Sequence, residues 1–255
     1  TQGYSSAASD VYKRQLYNRA LFGQYAPGST FKPCTAIAAL TEGIINTGAT
    51  VECTGQYTRY AEYGYAPYCW IYTQNKLTHG YLNVTGAIQH SCNIFFYSAG
   101  HNLGIDKLEK YARSFGLGEA TGIELPENEG NMANRDNHKE LVGEEWTIGD
   151  SMQAAIGQSD NMFTPLQLAE YCAAVANNGV RYSASILKSV RSYDYGENVY
   201  EREDEILSKV ESAQYNWDAV HEGMRLVGVS TLSGYTSSTV ACKTGTAQKL
   251  SLIHI

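Results

Sequence analysis

Three short strings carry the chemistry of this chain: Ser29-Thr30-Phe31-Lys32, Ser91-Cys92-Asn93 and Lys243-Thr244-Gly245. The first pairs a hydroxyl nucleophile with an amine. The second offers another hydroxyl and a carboxamide, and the third a cation and a hydroxyl. A serine attacks a carbonyl well only when a neighbour takes its proton. A lysine can do so when burial or a nearby cation lowers its pKa toward neutrality, and Lys243 supplies a cation. Ser91 can relay a proton to a leaving group, while the Asn93 amide can both donate to and accept from a peptide. Lys243, Thr244 and Thr246 suit a substrate carboxylate. The inventory fits acyl transfer through a serine ester.

No string is specific alone. Ser185-Ile186-Leu187-Lys188 repeats the first pattern and Ser159-Asp160-Asn161 the second. Context separates the copies. Ser29 follows Ala26-Pro27-Gly28, a turn signal, and precedes an apolar run over 35–40 that Gly43 closes. It is expected where a loop enters a helix, where free N–H groups and the macrodipole favour an oxyanion. Pro33 disfavours an α conformation at Lys32, so the first turn can be tight or 3₁₀-like, which still sets Lys32 against Ser29. Ser185 falls in a segment that reads as a strand, where residues three apart face opposite ways. Ser91 and Asn93 work best on a turn before the apolar run that follows them, because residues two apart share no helix face. Residues 240–247 read as a strand in which Gly245 marks close approach of a ligand or another backbone.

The elements that must hold these residues are mostly helical. Helices are expected near 33–42, 83–103, 105–115, 146–156, 164–178 and 211–227. Thr164 caps the fifth, Pro165 starts it and Gly179 stops it. Residues 180–191 and 197–202 read as a hairpin. Residues 51–72 are irregular and rich in Tyr, and Tyr57, Tyr60, Tyr63, Tyr65, Tyr68 and Trp70 read as a folded-over surface loop, with a substrate wall as the alternative. A length of 255 residues suits one large domain. A net charge of −7 gives no support for nucleic-acid binding. There is no apolar run of about 18 residues and no signal-peptide pattern. Six cysteines do not make a disulfide scaffold. Cys53 and Cys69 can pair in an oxidising compartment or remain two thiols. Their spacing fits no metal or redox motif, and no metal or cofactor is expected. Cys34, Cys92, Cys172 and Cys242 read as small core residues.

Residues 25–33, 91–96 and 243–248, with 121–126, 157–158 and 164–169 in order between them, resemble the transpeptidase domain of class B penicillin-binding proteins, the D,D-transpeptidases of bacterial cell-wall synthesis. The resemblance runs from about 16 to 248 and leaves 159–161 outside the second motif. It implies an α+β fold shared with serine β-lactamases, mostly helical here because much of the five-stranded antiparallel sheet is missing. It implies that Ser29 attacks the penultimate D-Ala carbonyl of a stem peptide, with Lys32 as base and Ser91 as shuttle. Asn93 would hold the substrate amide, and Lys243, Thr244, Gly245 and Thr246 would form the strand that binds the carboxylate. The N–H groups of Ser29 and Thr246 would form the oxyanion hole. Implied partners are peptidoglycan stem peptides, β-lactams that acylate the same serine, and membrane proteins of cell-wall synthesis. The implied location is the outer face of the cell membrane, through an upstream anchor. Residues 1–15 and 249–255 are expected to be foreign to the domain, because they resemble strings at the ends of incomplete reading frames. With its partner strands missing, the Lys243 segment is expected to be weakly anchored and the chain to acylate slowly. A serine β-lactamase, a β-lactam sensor and a bifunctional class A synthase share the three-motif logic. Penicillin turnover, a multi-span signalling segment and an upstream glycosyltransferase domain would respectively mark them.

Overall fold

A computed structural model describes residues 17–246. The segments expected to be foreign, 1–15 and 249–255, lie outside the described residues. After a short helix α1 (Arg19–Phe22), the chain reaches a 3₁₀ turn, Gly28–Phe31, that runs directly into α2 (Lys32–Thr41). Every residue of α2 except Thr41 is buried, so this is the central helix of the core. It packs against α5 (Asn93–Leu103), α6 (Ile105–Ser114) and the long α10 (Gln214–Leu232). Small residues let helices come close. A Cβ on Gly100 of α5 would stand 2.1 Å from that of Ala155, which follows α8 (Ile148–Ala154). Gly223 of α10 meets Ile88 of α4 (Val84–Gln89) in the same way.

The helix expected over 83–103 is two helices, α4 and α5, separated by a turn at residues 90–92. The break is a helix stop of the Schellman type. Cys92 N–H reaches back to Ala87 O at 3.0 Å and Ser91 N–H to Ile88 O at 3.2 Å. Ser91 takes the left-handed position, φ 51°, that glycine usually fills. That conformation costs a non-glycine residue about 1–2 kcal/mol. Helix α9 (Pro165–Ala176) starts as the sequence predicts, with Thr164 capping it and Gln167 completing a capping box. Two shorter helices, α3 (Trp70–Asn75) and α7 (Arg135–Val142), were not foreseen.

Strands form three two-stranded antiparallel ladders among the described residues. They are β1 (Val51–Cys53) with β2 (Gly80–Leu82), β3 (Val180–Tyr182) with β6 (Ile206–Lys209), and β4 (Ser189–Arg191) with β5 (Asn198–Glu201). No larger sheet occurs among these residues, and the fold is α+β and mostly helical. The expected hairpin is therefore split. The 180–191 segment pairs first with β6, then leaves the ladder where Glu124 binds Ser185 and the Ile186 N–H. Residues 240–246 have no regular secondary structure, against the strand expected there. They are held on α10 instead, where Cys242 N–H bonds Met224 O at 3.0 Å and Val240 lies against Gly228.

Candidate active site

Ser29 lies inside the 3₁₀ turn, and the Lys32 N–H bonds back to the Ser29 carbonyl. A three-residue period brings positions 29 and 32 onto one side of the chain. The turn is locked from several directions. Gly28, φ 55°, donates to Gly157 O at 2.8 Å. The buried Tyr171 of α9 accepts from Cys34 N–H at 2.9 Å and donates to Thr30 O at 3.2 Å. Phe31 is fully buried and stacks on Phe163. Thr35 donates to Ala155 O at 2.8 Å.

Lys32 is completely buried; its Nζ donates to Ser91 O at 2.8 Å and Asn93 Oδ1 at 2.7 Å and lies 3.1 Å from Ser91 Oγ, whose hydroxyl donates to the amine when Lys32 is neutral. Those contacts explain the left-handed Ser91. It turns both the carbonyl and the hydroxyl of one residue toward the same amine, while Asn93 opens α5 beside it. Lys243 Nζ donates to the same Ser91 Oγ at 3.0 Å. Ser91 therefore stands between two lysines. Burial first, and the Lys243 cation second, pull the Lys32 amine from 10.5 down to about 7. Burial takes Lys243 to about 8. Between these values Lys32 is largely neutral and Lys243 largely charged, so the pair supplies a base and a cation together.

The third string approaches the first directly. A Cβ on Gly245 would stand 2.8 Å from Thr30 Cγ2 and 3.0 Å from Pro27 O, the close backbone approach that a glycine in this position suggested. Ser29, Ser91, Asn93, Thr244 and Thr246 line one cavity of about 630 Å³. The structure thus brings together all eight predicted positions: Ser29, Lys32, Ser91, Asn93, Lys243, Thr244, Gly245 and Thr246. The two repeats of the patterns stay elsewhere. Ser185 is bound to Glu124 on an irregular segment, not on the strand expected for it. Asn161 is buried and ties the backbones of Ala133, Ala154 and Gln158 together.

Sequence reasoning missed part of the cavity wall. Gln158, whose amide reaches Thr246 O at 3.4 Å, was seen only as part of a matching segment. Tyr68 and Trp70 line the cavity, so this part of the aromatic loop is a wall and not a folded-over surface. Tyr97 on α5 and Gln153 on α8 also line it.

Cys53, Cys69, His79 and Cys92 converge beside this wall, with their ligand atoms all within 4.8 Å of one another. The three thiols are buried and unpaired, so the expected choice between a Cys53–Cys69 disulfide and two simple thiols is replaced by a four-residue cluster. Hydrogen bonding with Cys92 holds the Cys53 and Cys69 thiols below their ordinary value and pushes Cys92 above it. Three sulfurs and one imidazole are the donor set of structural zinc, and these residues could hold such an ion. The expectation of no metal rested on spacing. These ligands come from four separate segments, so no short motif announces them. Cys172 is exposed and Cys242 half-buried, against the core placement expected for both.

Comparison with known proteins gives the class of protein that this fold and site define. A family model described as "Penicillin binding protein transpeptidase domain" matches residues 2–252, wider than the 16–248 over which the sequence motifs run. The chain belongs to this family. Among curated relatives, it is 32% identical over 258 residues to the peptidoglycan D,D-transpeptidase MrdA of Acinetobacter baumannii, a match that spans 98% of this chain and 36% of that protein. Among solved structures, Pseudomonas aeruginosa PBP2 superposes with a TM-score of 0.79 at 30% identity, covering 91% of this chain and 52% of that one. Helicobacter pylori PBP2, solved in complex with MreC, gives 0.78 at 26% identity, covering 97% and 44%. The chain spans little more than a third of the length of the curated relatives it matches.

Proposed function

We propose that this domain is a serine D,D-transpeptidase that cross-links peptidoglycan stem peptides. The observation that carries the reading is the buried Lys32 amine, bonded to Ser91 and Asn93 at the foot of the turn that presents Ser29, with Lys243 on the far side of Ser91. Neutral Lys32 takes the proton of Ser29 as Ser29 Oγ attacks the penultimate D-Ala carbonyl. The backbone N–H groups of Ser29 and Thr246 receive the oxyanion, each worth about 2.7–4 kcal/mol if aligned. Ser91 passes a proton to the leaving D-Ala amine and is reprotonated by Lys32 at 3.1 Å. An ester on Ser29 remains, and the amine of a second peptide resolves it by the reverse path. Lys243, Thr244 and Thr246 hold the terminal carboxylate, and Asn93 the peptide amide.

β-Lactams acylate the same serine in this reading. The parent protein works on the outer face of the bacterial membrane, tethered by an anchor. It acts with cell-wall synthesis proteins of the kind represented by MreC in the Helicobacter pylori complex. The proposed extent of the domain is 16–248. The test is covalent labelling by fluorescent penicillin. Ser29→Ala is expected to abolish it and Ser185→Ala to leave it intact. Labelling that survives Ser29→Ala would overturn the proposal.

A further inference from the structure

The turn that presents Ser29 is completed by a group from another helix. In a regular α turn, Ser29 O would take the N–H of residue 33 and Thr30 O that of residue 34. Residue 33 is a proline and has no N–H, so Ser29 O takes the N–H of Lys32 instead. The α ladder opens only at Phe31, the cap of α2, whose ψ of −21° is that of a 3₁₀ turn. The Thr30 carbonyl and the Cys34 N–H are both present, yet the Tyr171 hydroxyl stands between them. It accepts from Cys34 N–H at 2.9 Å and donates to Thr30 O at 3.2 Å. Cys34 N–H is among the donors that a helix start leaves unpaired, and the Phe31 cap offers it no side-chain acceptor. The hydroxyl is firmly placed. Tyr171 is buried on α9, and its ring packs edge-on against Phe115, which packs in turn on Trp217. Burial keeps the phenol well above its ordinary pKa, so its proton stays available to Thr30 O.

Resting on the transpeptidase reading above, we infer that Tyr171 is a positioning residue for the nucleophile. Its hydroxyl, wedged between the Thr30 carbonyl and the Cys34 N–H, keeps the turn wound so that Ser29 stays in line with Lys32. Three residues span a full turn of a 3₁₀ helix but only about 300° of an α-helix. Without the hydroxyl, the carbonyl and the N–H are left facing each other with no partner, and a direct bond is the local way to pair both. That bond extends the α-helix backward. It swings Ser29 about 60° round the axis relative to Lys32, roughly 2 Å at the Cα radius. Lys32 does not follow, because its Nζ is fixed on Ser91 O and Asn93 Oδ1. Gly245 packs on Thr30, so the same turn also sets where the Lys243 segment rests.

The experiment follows acylation of the 255-residue chain with penicillin in excess, which separates the first-order acylation constant from the amplitude and from the affinity of the first encounter. Tyr171→Phe is expected to lower the constant roughly 100-fold and to leave amplitude and affinity little changed. Tyr111→Phe is the control. It deletes a hydroxyl bond to Glu42 Oε1 at 2.9 Å, at the far end of α2, and is expected to cost stability without slowing acylation. Lys32→Ala is expected to cost far less in the Tyr171→Phe background than in the wild type, because base and nucleophile are already apart. A loss confined to amplitude, a slowing matched by Tyr111→Phe, or an undiminished effect of Lys32→Ala would overturn the inference. In the unaltered chain, the Tyr171 hydroxyl proton is expected as a slowly exchanging resonance with a cross-peak to the Cys34 amide. Its absence would overturn the inference even if Tyr171→Phe fails to fold. If Ser29 is labelled and Tyr171→Phe acylates as fast as wild type, only the inference falls. If Ser29 is never labelled, the transpeptidase reading falls and takes the inference with it.

Discussion

Replacing Lys32 by methionine is expected to make the domain more stable at low pH while removing its acylation activity. Methionine keeps the length of the side chain and discards the amine. In the folded protein the amine titrates at about 7 in place of 10.5. At about 1.4 kcal/mol per unit, holding a protonated lysine in this site costs on the order of 5 kcal/mol at pH 6. Against this stand three hydrogen bonds, to Ser91 O, Ser91 Oγ and Asn93 Oδ1, that the substitution deletes. At about 1 kcal/mol each they offset roughly 3 kcal/mol. The net expectation is a stabilisation of about 2 kcal/mol at pH 6. The sign depends on pH because the folded-state pKa is depressed. Between about 7 and 10.5 the unfolded chain holds a proton that the folded chain lacks, so the wild-type domain gains stability as pH rises. By pH 9 the penalty has shrunk to about 2 kcal/mol, and Lys32→Met is expected to be about 1 kcal/mol less stable than wild type. Urea unfolding of both proteins at pH 6 and pH 9 measures the crossing. A destabilisation of equal size at both pH values would refute the burial argument and would mean that Lys32 stays charged in the fold.

Three further outcomes follow from the same geometry. Acylation by penicillin is expected to rise with pH through about 7 as Lys32 loses its proton, and to fall above about 8 as Lys243 loses its own. A stopped-flow profile without the lower limb would contradict Lys32 as base. Purified protein is expected to carry close to one equivalent of zinc by elemental analysis, and a strong chelator to lower Tm. Cys53→Ser should reduce both, because the four donors act as one site. Gly157→Ala is expected to cost more than 2 kcal/mol and to slow acylation, since its Cβ would stand 2.1 Å from Gly28 O at φ 75°. Thermal unfolding and labelling rates report both effects.

What the sequence made legible was the chemistry and the helices with clear punctuation. Thr164, Pro165 and Gln167 mark the start of α9 because capping is local, and the structure forms that capping box. Pro33 implied a tight first turn at Ser29, and the 3₁₀ geometry follows. The Ser91 turn was legible only through the chemistry, because residues two apart share no helix face, while the residue pattern over 83–103 suggested one helix. Its left-handed conformation closes a local Schellman stop and is also held by long-range bonds with Lys32 and Lys243, which no local pattern announces. The Lys243 segment misled for a related reason. Its alternation suits a strand, but the described chain gives it helices to pack on and no ladder to join. The thiol cluster was hidden because β1, α3, β2 and the Ser91 turn meet only in three dimensions.

The central claim is that Ser29 is the nucleophile. Peptide mapping by mass spectrometry after brief exposure to penicillin at pH 7.5 tests it most directly. The account predicts a single acyl adduct on Ser29, lost in both Ser29→Ala and Lys32→Ala. An adduct on Ser91, Ser185 or any other serine would contradict it.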